Sequence, residues 1–230
     1  MVSSPQIKTQ GLEALHLEAL PPVTKKAFLR CVEMPFFSSK KWYLAGGTAL
    51  ALHAGHRQSV DLDFFTVEKS FDEKRIEEEL SAAGDWKTSS MDYGTVYGEF
   101  GGAKMSLIAY PFFRPSEPFS RVGHVDIVVP PDIAVMKIVA ISQRGKKRDF
   151  VDLYWMCLHT QSLRESIDRT LKQYTVRQNP THLLKSLVFF EDAENDPMLE
   201  LFFKADWRTV KSYFRREVPK IAESLMGLSG

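Results

Sequence analysis

The chain has little of what would mark a secreted, zinc-bound or membrane-embedded protein. Only two cysteines, Cys31 and Cys157, occur in its 230 residues. They form no CxxC pair and no zinc-ligand spacing, which excludes a disulfide framework and a zinc finger. They read instead as small buried hydrophobes. No apolar run approaches the roughly 18 residues that a membrane-spanning helix needs. The N-terminus lacks a basic-then-apolar export segment. Charge imbalance is also missing, at +1 from 30 Lys and Arg against 29 Asp and Glu. No global field therefore draws the chain to nucleic acid or to an anionic membrane, and any such contact must come from a local patch. There is no G-x-S-x-G nucleophile elbow, no Walker-type glycine-lysine loop and no internal repeat. The expectation is a cytoplasmic globular protein with no membrane partner.

An apolar content of 44% is enough to build a core for one large domain or two small ones. A first helix is expected over about Gln10 to Glu33, ended by Pro35. A strand at Lys41–Ala45, a helix at Thr48–Ala54 and a strand at Val60–Thr66 follow. Asp72 suits the N-cap of a helix over Asp72–Ala83, with Gly84 past its end. Trp86–Met91, Thr95–Phe100 and Lys104–Tyr110 have strand chemistry. The breaks between them, Asp92-Tyr93-Gly94 and Gly101-Gly102, suit hairpin turns. Val122–Val129 reads as one more strand. From Pro131 onward the pattern is helical: Asp132–Gln143, Asp149–Thr160, Leu163–Tyr174, Thr181–Glu191 and Asp206–Met226. The expected fold is α+β, with a mixed sheet and flanking helices in residues 1–130 and a helical bundle in 131–230.

Chemistry concentrates around Gly46-Gly47-Thr48 and Asp61-Leu62-Asp63. Residues two apart in a strand share a face, so Asp61 and Asp63 project together while Val60, Leu62 and Phe64 point the other way. Two adjacent carboxylates repel and call for a compensating cation. Glycines ahead of a helix expose backbone N–H groups that cradle phosphate, and Thr48 would add a hydroxyl. Each motif alone has an ordinary explanation, a tight turn or a solvated edge. Together, little more than a dozen residues apart, they point to a divalent metal beside a phosphate-binding turn.

Other residues carry two readings. Lys137 lies among Ile133, Ala134, Ala140 and Ile141 on its helix face, so it either snorkels to the surface or meets an anion. Asp152 either serves a site or pairs with Arg144 or Arg148. Arg57 either pairs with a carboxylate or reaches a phosphate. His53 and His56 lack a partner cluster for zinc. The basic run Arg144, Lys146, Lys147 and Arg148 is a solvated turn or a phosphate or RNA contact. The last helix, with Trp207, Arg208, Lys211, Tyr213, Phe214, Arg215 and Arg216, packs its aromatics inward or docks RNA.

Gly46-Gly47-Thr48-Ala49-Leu50, then Arg57, then Asp61-Leu62-Asp63-Phe64-Phe65 resembles the nucleotidyltransferases of the AbiEii/AbiGii toxin family, within the DNA polymerase β-like superfamily. Lys137 in an apolar helix, Arg144 and Asp149-Phe150-Val151-Asp152-Leu153-Tyr154 extend the likeness. The resemblance implies a mixed sheet followed by helices, and transfer of a nucleotidyl group from a nucleoside triphosphate, with RNA as an acceptor. It implies Mg²⁺ held by Asp61 and Asp63, phosphates cradled by Gly46, Gly47 and Thr48, and Lys137 on the nucleotide phosphates. Asp152 would also serve the site, and a separate chain would be the antitoxin of a toxin–antitoxin or abortive-infection pair. The superfamily's third carboxylate is missing. Ser106 stands at its expected position with Lys104 on the same face, and Glu99 and Asp126 lie on neighbouring strands. A catalytically degenerate nucleotide-binding module engaging a protein partner, or a small-molecule nucleotidyltransferase, is the alternative.

Overall fold

The computed structural model describes residues 11–225. Gln10 and Met226, where the sequence pattern begins the first helix and ends the last, lie outside the described residues. Two 3-10 turns, Leu12–Ala14 and Leu17–Ala19, precede α1 (Pro22–Glu33), α2 (Pro35–Ser39), β1 (Tyr43–Ala45), α3 (Gly46–Ala54), β2 (Leu62–Thr66) and α4 (Glu73–Ala82). β3 (Trp86–Asp92), β4 (Thr95–Phe100), β5 (Ala103–Ala109), β6 (Ser120–Val122) and β7 (Val125–Ile127) follow. The helices α5 (Pro130–Arg144), α6 (Lys147–His159), α7 (Leu163–Gln173), α8 (Pro180–Ser186), α9 (Glu191–Glu194) and α10 (Trp207–Leu225) complete the described chain.

Local chemistry accounts for most boundaries. Pro22 opens α1 at its first position, where the missing N–H costs nothing. The expected single helix therefore starts only there, and the residues before it form short turns. Asp72 caps α4 by accepting from the Arg75 N–H at 3.0 Å. Ser162 and Glu165 form a capping box on α7. The single strand expected over Val122–Val129 is instead a hairpin, β6 and β7, turned at Gly123. That glycine has φ +54°, and a Cβ there would lie 2.4 Å from the Val32 carbonyl oxygen, so no other residue fits. The helix expected over Thr181–Glu191 is split into α8 and α9.

The described residues form two compact units. The first takes in the chain up to Gly55, Ser59–Pro111 and Pro118–Val129. The second takes in His56–Gln58, Phe112–Glu117 and the chain from Pro130. In the first, seven strands form one sheet in the order β3-β4-β5-β2-β1-β7-β6. β2 runs antiparallel to β1 and parallel to β5, so the sheet is mixed, with the acid-bearing strand at its centre. One face of these strands is core, where Leu62, Phe64, Val96 and Leu107 are fully buried. Val60 departs from the expected pattern. It lies before β2 and is 49% exposed, because the strand begins only at Leu62. β3 ends the sheet and exposes Lys87 through Asp92, the polar edge that discourages pairing with other chains.

The second unit gathers α5 to α10. Phe150 of α6 packs against Phe190, Trp207 and Phe214, with ring centroids 5.1–5.8 Å apart. The aromatics of α10 thus turn inward, while Lys211 pairs with Glu194 at 2.6 Å and Arg216 with Glu217 at 2.6 Å. That is the packing reading of the last helix, in place of an aromatic face for RNA. Among the described residues no helix is long and apolar enough to cross a membrane.

Candidate functional site

The centre of the sheet brings the glycine turn to the acids. Ala45, the last residue of β1, stands opposite Asp63 in β2. The next residue, Gly46, has φ +72°, and a Cβ built on it would sit 3.5 Å from Asp63 Oδ2. The left-handed backbone favours glycine there, and the carboxylate lies within contact distance of the position a side chain would take. α3 starts at this point with no side-chain cap on its N-terminus, so its first N–H groups and the positive end of its dipole lie beside Asp63.

Asp61 and Asp63 are both partly exposed and flank the buried Leu62, as alternation in an extended segment requires. Asp61 precedes β2 rather than lying within it. Its position is held from below: the Thr48 hydroxyl donates to the Asp61 backbone carbonyl and lies 2.8 Å from the Ser59 hydroxyl. Thr48 is only 2% exposed. The expectation of a Thr48 hydroxyl aimed at phosphate is corrected accordingly. This hydroxyl fastens the acid-bearing segment to α3. Ser59, which does half of that work, carries no motif in the sequence.

Ser106 of β5 is paired with Asp63 across the parallel ladder, and its hydroxyl donates to Asp63 Oδ1 at 2.5 Å. It orients the carboxylate where a third carboxylate would otherwise stand. Both acids and Ser106 line a cavity of about 590 Å³ whose wall continues over Lys104, Tyr97 and the exposed strand β3. No group of three or more His, Cys, Asp or Glu suited to a metal occurs among the described residues. Two carboxylates nevertheless fit Mg²⁺, which is commonly held by one or two carboxylates together with substrate phosphates. The donor set therefore fits the metal that the resemblance implies, with phosphate oxygens supplying the remaining positions.

Arg57, Lys137, Asp149 and Asp152 assemble elsewhere, inside the second unit. Asp152 is fully buried and is held by three side chains. His56 Nε2 donates to Oδ1 at 2.8 Å, Arg57 grips both oxygens at 2.6 and 2.8 Å, and Lys137 Nζ lies 2.6 Å from Oδ2. Lys137 also donates to Asp149 at 2.8 Å, and Arg144 reaches the same carboxylate at 2.9 Å. Burial alone would raise the pKa of Asp152. The charges of Arg57 and Lys137 and the His56 hydrogen bond overcome it and hold the group well below the usual carboxylate range. Burial likewise works against ionised Asp149, and Lys137 and Arg144 outweigh it, lowering its pKa. Burial depresses the pKa of His56 against the pull of Asp152, which keeps the ring neutral near pH 7, its Nε2–H donating to the carboxylate.

Several expectations are settled or redirected by this hub. Lys137 does not snorkel. It is 4% exposed and meets two carboxylates. Asp152 spends both oxygens on three basic side chains, so in this structure it forms an ion-pair centre rather than an open metal ligand, and Arg57 is its bidentate partner rather than an exposed phosphate contact. His53 lies 3.1 Å from the Val128 carbonyl, so neither histidine joins a zinc cluster. The basic run is tied down as well. Lys147 is buried, with its ammonium on the Asp196 and Glu194 carbonyls, and Lys146 lies 3.4 Å from Asp196. Cys31 and Cys157 are free thiols, and burial raises the pKa of both, that of Cys157 to about 12, which disfavours the nucleophilic thiolate at neutral pH.

A mixed sheet with Asp63 on its central strand, Asp61 just ahead of that strand and a glycine-led helix alongside is the arrangement that the family resemblance implies. MenT4, a nucleotidyltransferase toxin of Mycobacterium tuberculosis H37Rv, superimposes with a TM-score of 0.53 over 90% of this chain and 87% of its own, at 13% identity. That likeness is one of fold. The chain belongs to the family described as nucleotidyl transferase AbiEii toxin of type IV toxin–antitoxin systems, which it matches over residues 27–92 and 109–225. An uncharacterized protein of Aquifex aeolicus is 36% identical over 189 residues, covering 80% of this chain and 89% of the relative. The chain is therefore a nucleotidyltransferase of the toxin type. The acids, the glycine turn and the hub all lie within the matched stretches, whereas Tyr97, Lys104 and Ser106 fall between them.

Proposed function

We propose that this protein transfers a nucleotidyl group from a nucleoside triphosphate to an RNA acceptor at Asp61 and Asp63, as a Mg²⁺-dependent cytoplasmic toxin restrained by a separate antitoxin chain. The observation that carries the proposal is the approach of Gly46 to Asp63, whose carboxylate lines the cavity beside Asp61. Asp61 and Asp63 would hold the divalent ion, which when bound neutralises phosphate charge and favours departure of pyrophosphate. The chain's own residues do the positioning. The N–H groups at Gly46 and Gly47 receive the phosphate tail. Thr48 and Ser59 keep the Asp61 segment in place, and Ser106 fixes the rotamer of Asp63. Lys137, Arg57 and Asp152 act through the hub, which keeps α5 and α6 and the His56–Gln58 segment rigid.

The test is incubation of the protein with labelled nucleoside triphosphates, Mg²⁺ and total RNA. Label should appear in RNA and disappear with a chelator. Nucleotide binding without transfer, across all four nucleotides and several acceptors, would instead support the second reading, a nucleotide-binding module. That reading is favoured by one observation, the serine at position 106. A small-molecule acceptor has less support, because the cavity wall runs out over an exposed edge strand.

Gly46→Ala is expected to lower transfer by roughly ten- to a hundredfold, since small misplacements at a reacting centre have effects of that order. The new methyl group would stand against Asp63 on a backbone that L-residues resist. Initial rates at saturating nucleotide, with circular dichroism as a fold control, give the comparison. Unchanged rates would remove the glycine turn from the site.

A further inference from the structure

Asp63, Ser106, Tyr97 and Ser90 form one continuous row across β2, β5, β4 and β3, paired in that order by the sheet register. Directly paired residues share a face, so the Tyr97 ring projects on the same side as the Asp63 carboxylate. At about 4.8 Å per strand, it stands about 10 Å away. Tyr97 is 44% exposed on the cavity wall. Lys87 and Lys104, which also line the cavity, oppose Glu99 from either side in the adjoining row, so two cations meet one acid. The row ends at an edge strand whose register shifts between Thr88 and Ser90, a bulge of the kind that re-aims side chains beside functional sites.

The direction of this row matters. Gly46 approaches Asp63 from the β1 side, whereas Ser106 and Tyr97 extend from the β5 side. In an in-line displacement the attacking and leaving oxygens occupy opposite sides of the phosphorus. With the triphosphate tail at Gly46, the acceptor hydroxyl must arrive from the β5 side. As the bond from that oxygen to the α-phosphorus forms, the bond to pyrophosphate breaks. Pyrophosphate takes the electron pair, and the hydroxyl proton passes to solvent.

We propose that Tyr97, flanked by Lys87 and Lys104, is the acceptor platform, on which the terminal base of a single-stranded RNA stacks while the lysines meet its phosphates. Aromatic stacking together with lysine contacts is the usual means of holding a single strand. This inference rests on the proposed function but is tested apart from it. Binding of a labelled short single-stranded RNA with a free terminal hydroxyl is followed by fluorescence anisotropy, and binding of Mg²⁺-loaded nucleoside triphosphates by calorimetry. Both use the full chain. Tyr97→Ala should weaken RNA binding by about tenfold, Tyr97→Phe should restore it, and nucleotide affinity should not move. Lys87→Gln with Lys104→Gln should weaken RNA binding and flatten its salt dependence. Equal RNA binding by the wild type and Tyr97→Ala overturns the platform. So does a parallel loss of nucleotide affinity, which would place the donor base on Tyr97, or a wild type that binds a peptide acceptor and no RNA. A wild type that binds RNA through Tyr97 yet never transfers label would overturn the proposed reaction and leave the platform standing.

Discussion

Asp63→Ala should reduce transfer about a thousandfold or more, equivalent to about 4 kcal/mol of transition-state stabilisation. The fold should survive. The carboxylate is partly exposed and accepts from the Ser106 hydroxyl, and its removal relieves repulsion with Asp61. The melting temperature should therefore stay within about 2 °C of wild type. Asp61→Ala should behave in the same way, and the double variant should be little worse than either one, because the two acids would act on the same ion. Rates under single-turnover conditions, read beside melting curves, separate this pattern from a general loss of structure. Activity retained in either variant would move the chemistry elsewhere.

Asp152→Ala should show the opposite profile, a large loss of stability. The substitution removes from a buried site the carboxylate that Arg57 grips at both oxygens and that shares Lys137 with Asp149. Removing one partner of such a pair costs about 3–5 kcal/mol, or a melting temperature lower by about 10 °C for a chain of this size. The hub also sets how stability depends on pH. Asp149 and Asp152 have pKa values below the ordinary 3.8 in the folded chain. Their contribution is fully present above pH ~4 and is lost as pH falls through the folded-state values. His56 is depressed below 6.5 by burial, so the unfolded chain takes up its proton first and stability begins to decline below pH ~6.5. Urea midpoints from neutral to acidic pH should fall in these two stages for wild type, and the lower stage should shrink in Asp152→Asn. A normal melting temperature in Asp152→Ala together with lost transfer would instead give Asp152 the direct catalytic part that the family resemblance implies.

The legible parts of the fold were those written in local chemistry. Strand alternation placed Asp61 and Asp63 on one side of Leu62, and the Gly94 and Gly101-Gly102 breaks fall where β3, β4 and β5 turn. Pro130-Pro131 opens α5, the first of the run of helices. What escaped sequence reasoning was decided by partners far along the chain. Thr48 looks like a phosphate donor until Ser59 and the Asp61 carbonyl are seen to occupy its hydroxyl. His56 and Asp152 are 96 residues apart, and no spacing rule joins them. The alternation that exposed the acids also suggested a buried Val60, but β2 begins two residues later and leaves it in solvent. Tyr97 carried no signal at all, because only the pairing of β4 with β5 and β5 with β2 aligns it with Asp63.

Calorimetric titration of a nucleoside triphosphate into the wild-type protein and Asp63→Ala, each with Mg²⁺ and with chelator, bears most directly on the central claim. Strong binding is expected for wild type with Mg²⁺ alone, and in none of the other three combinations. Equal binding in all four would mean that the nucleotide is held without the paired acids, and the site described at the centre of the sheet would not be the active site.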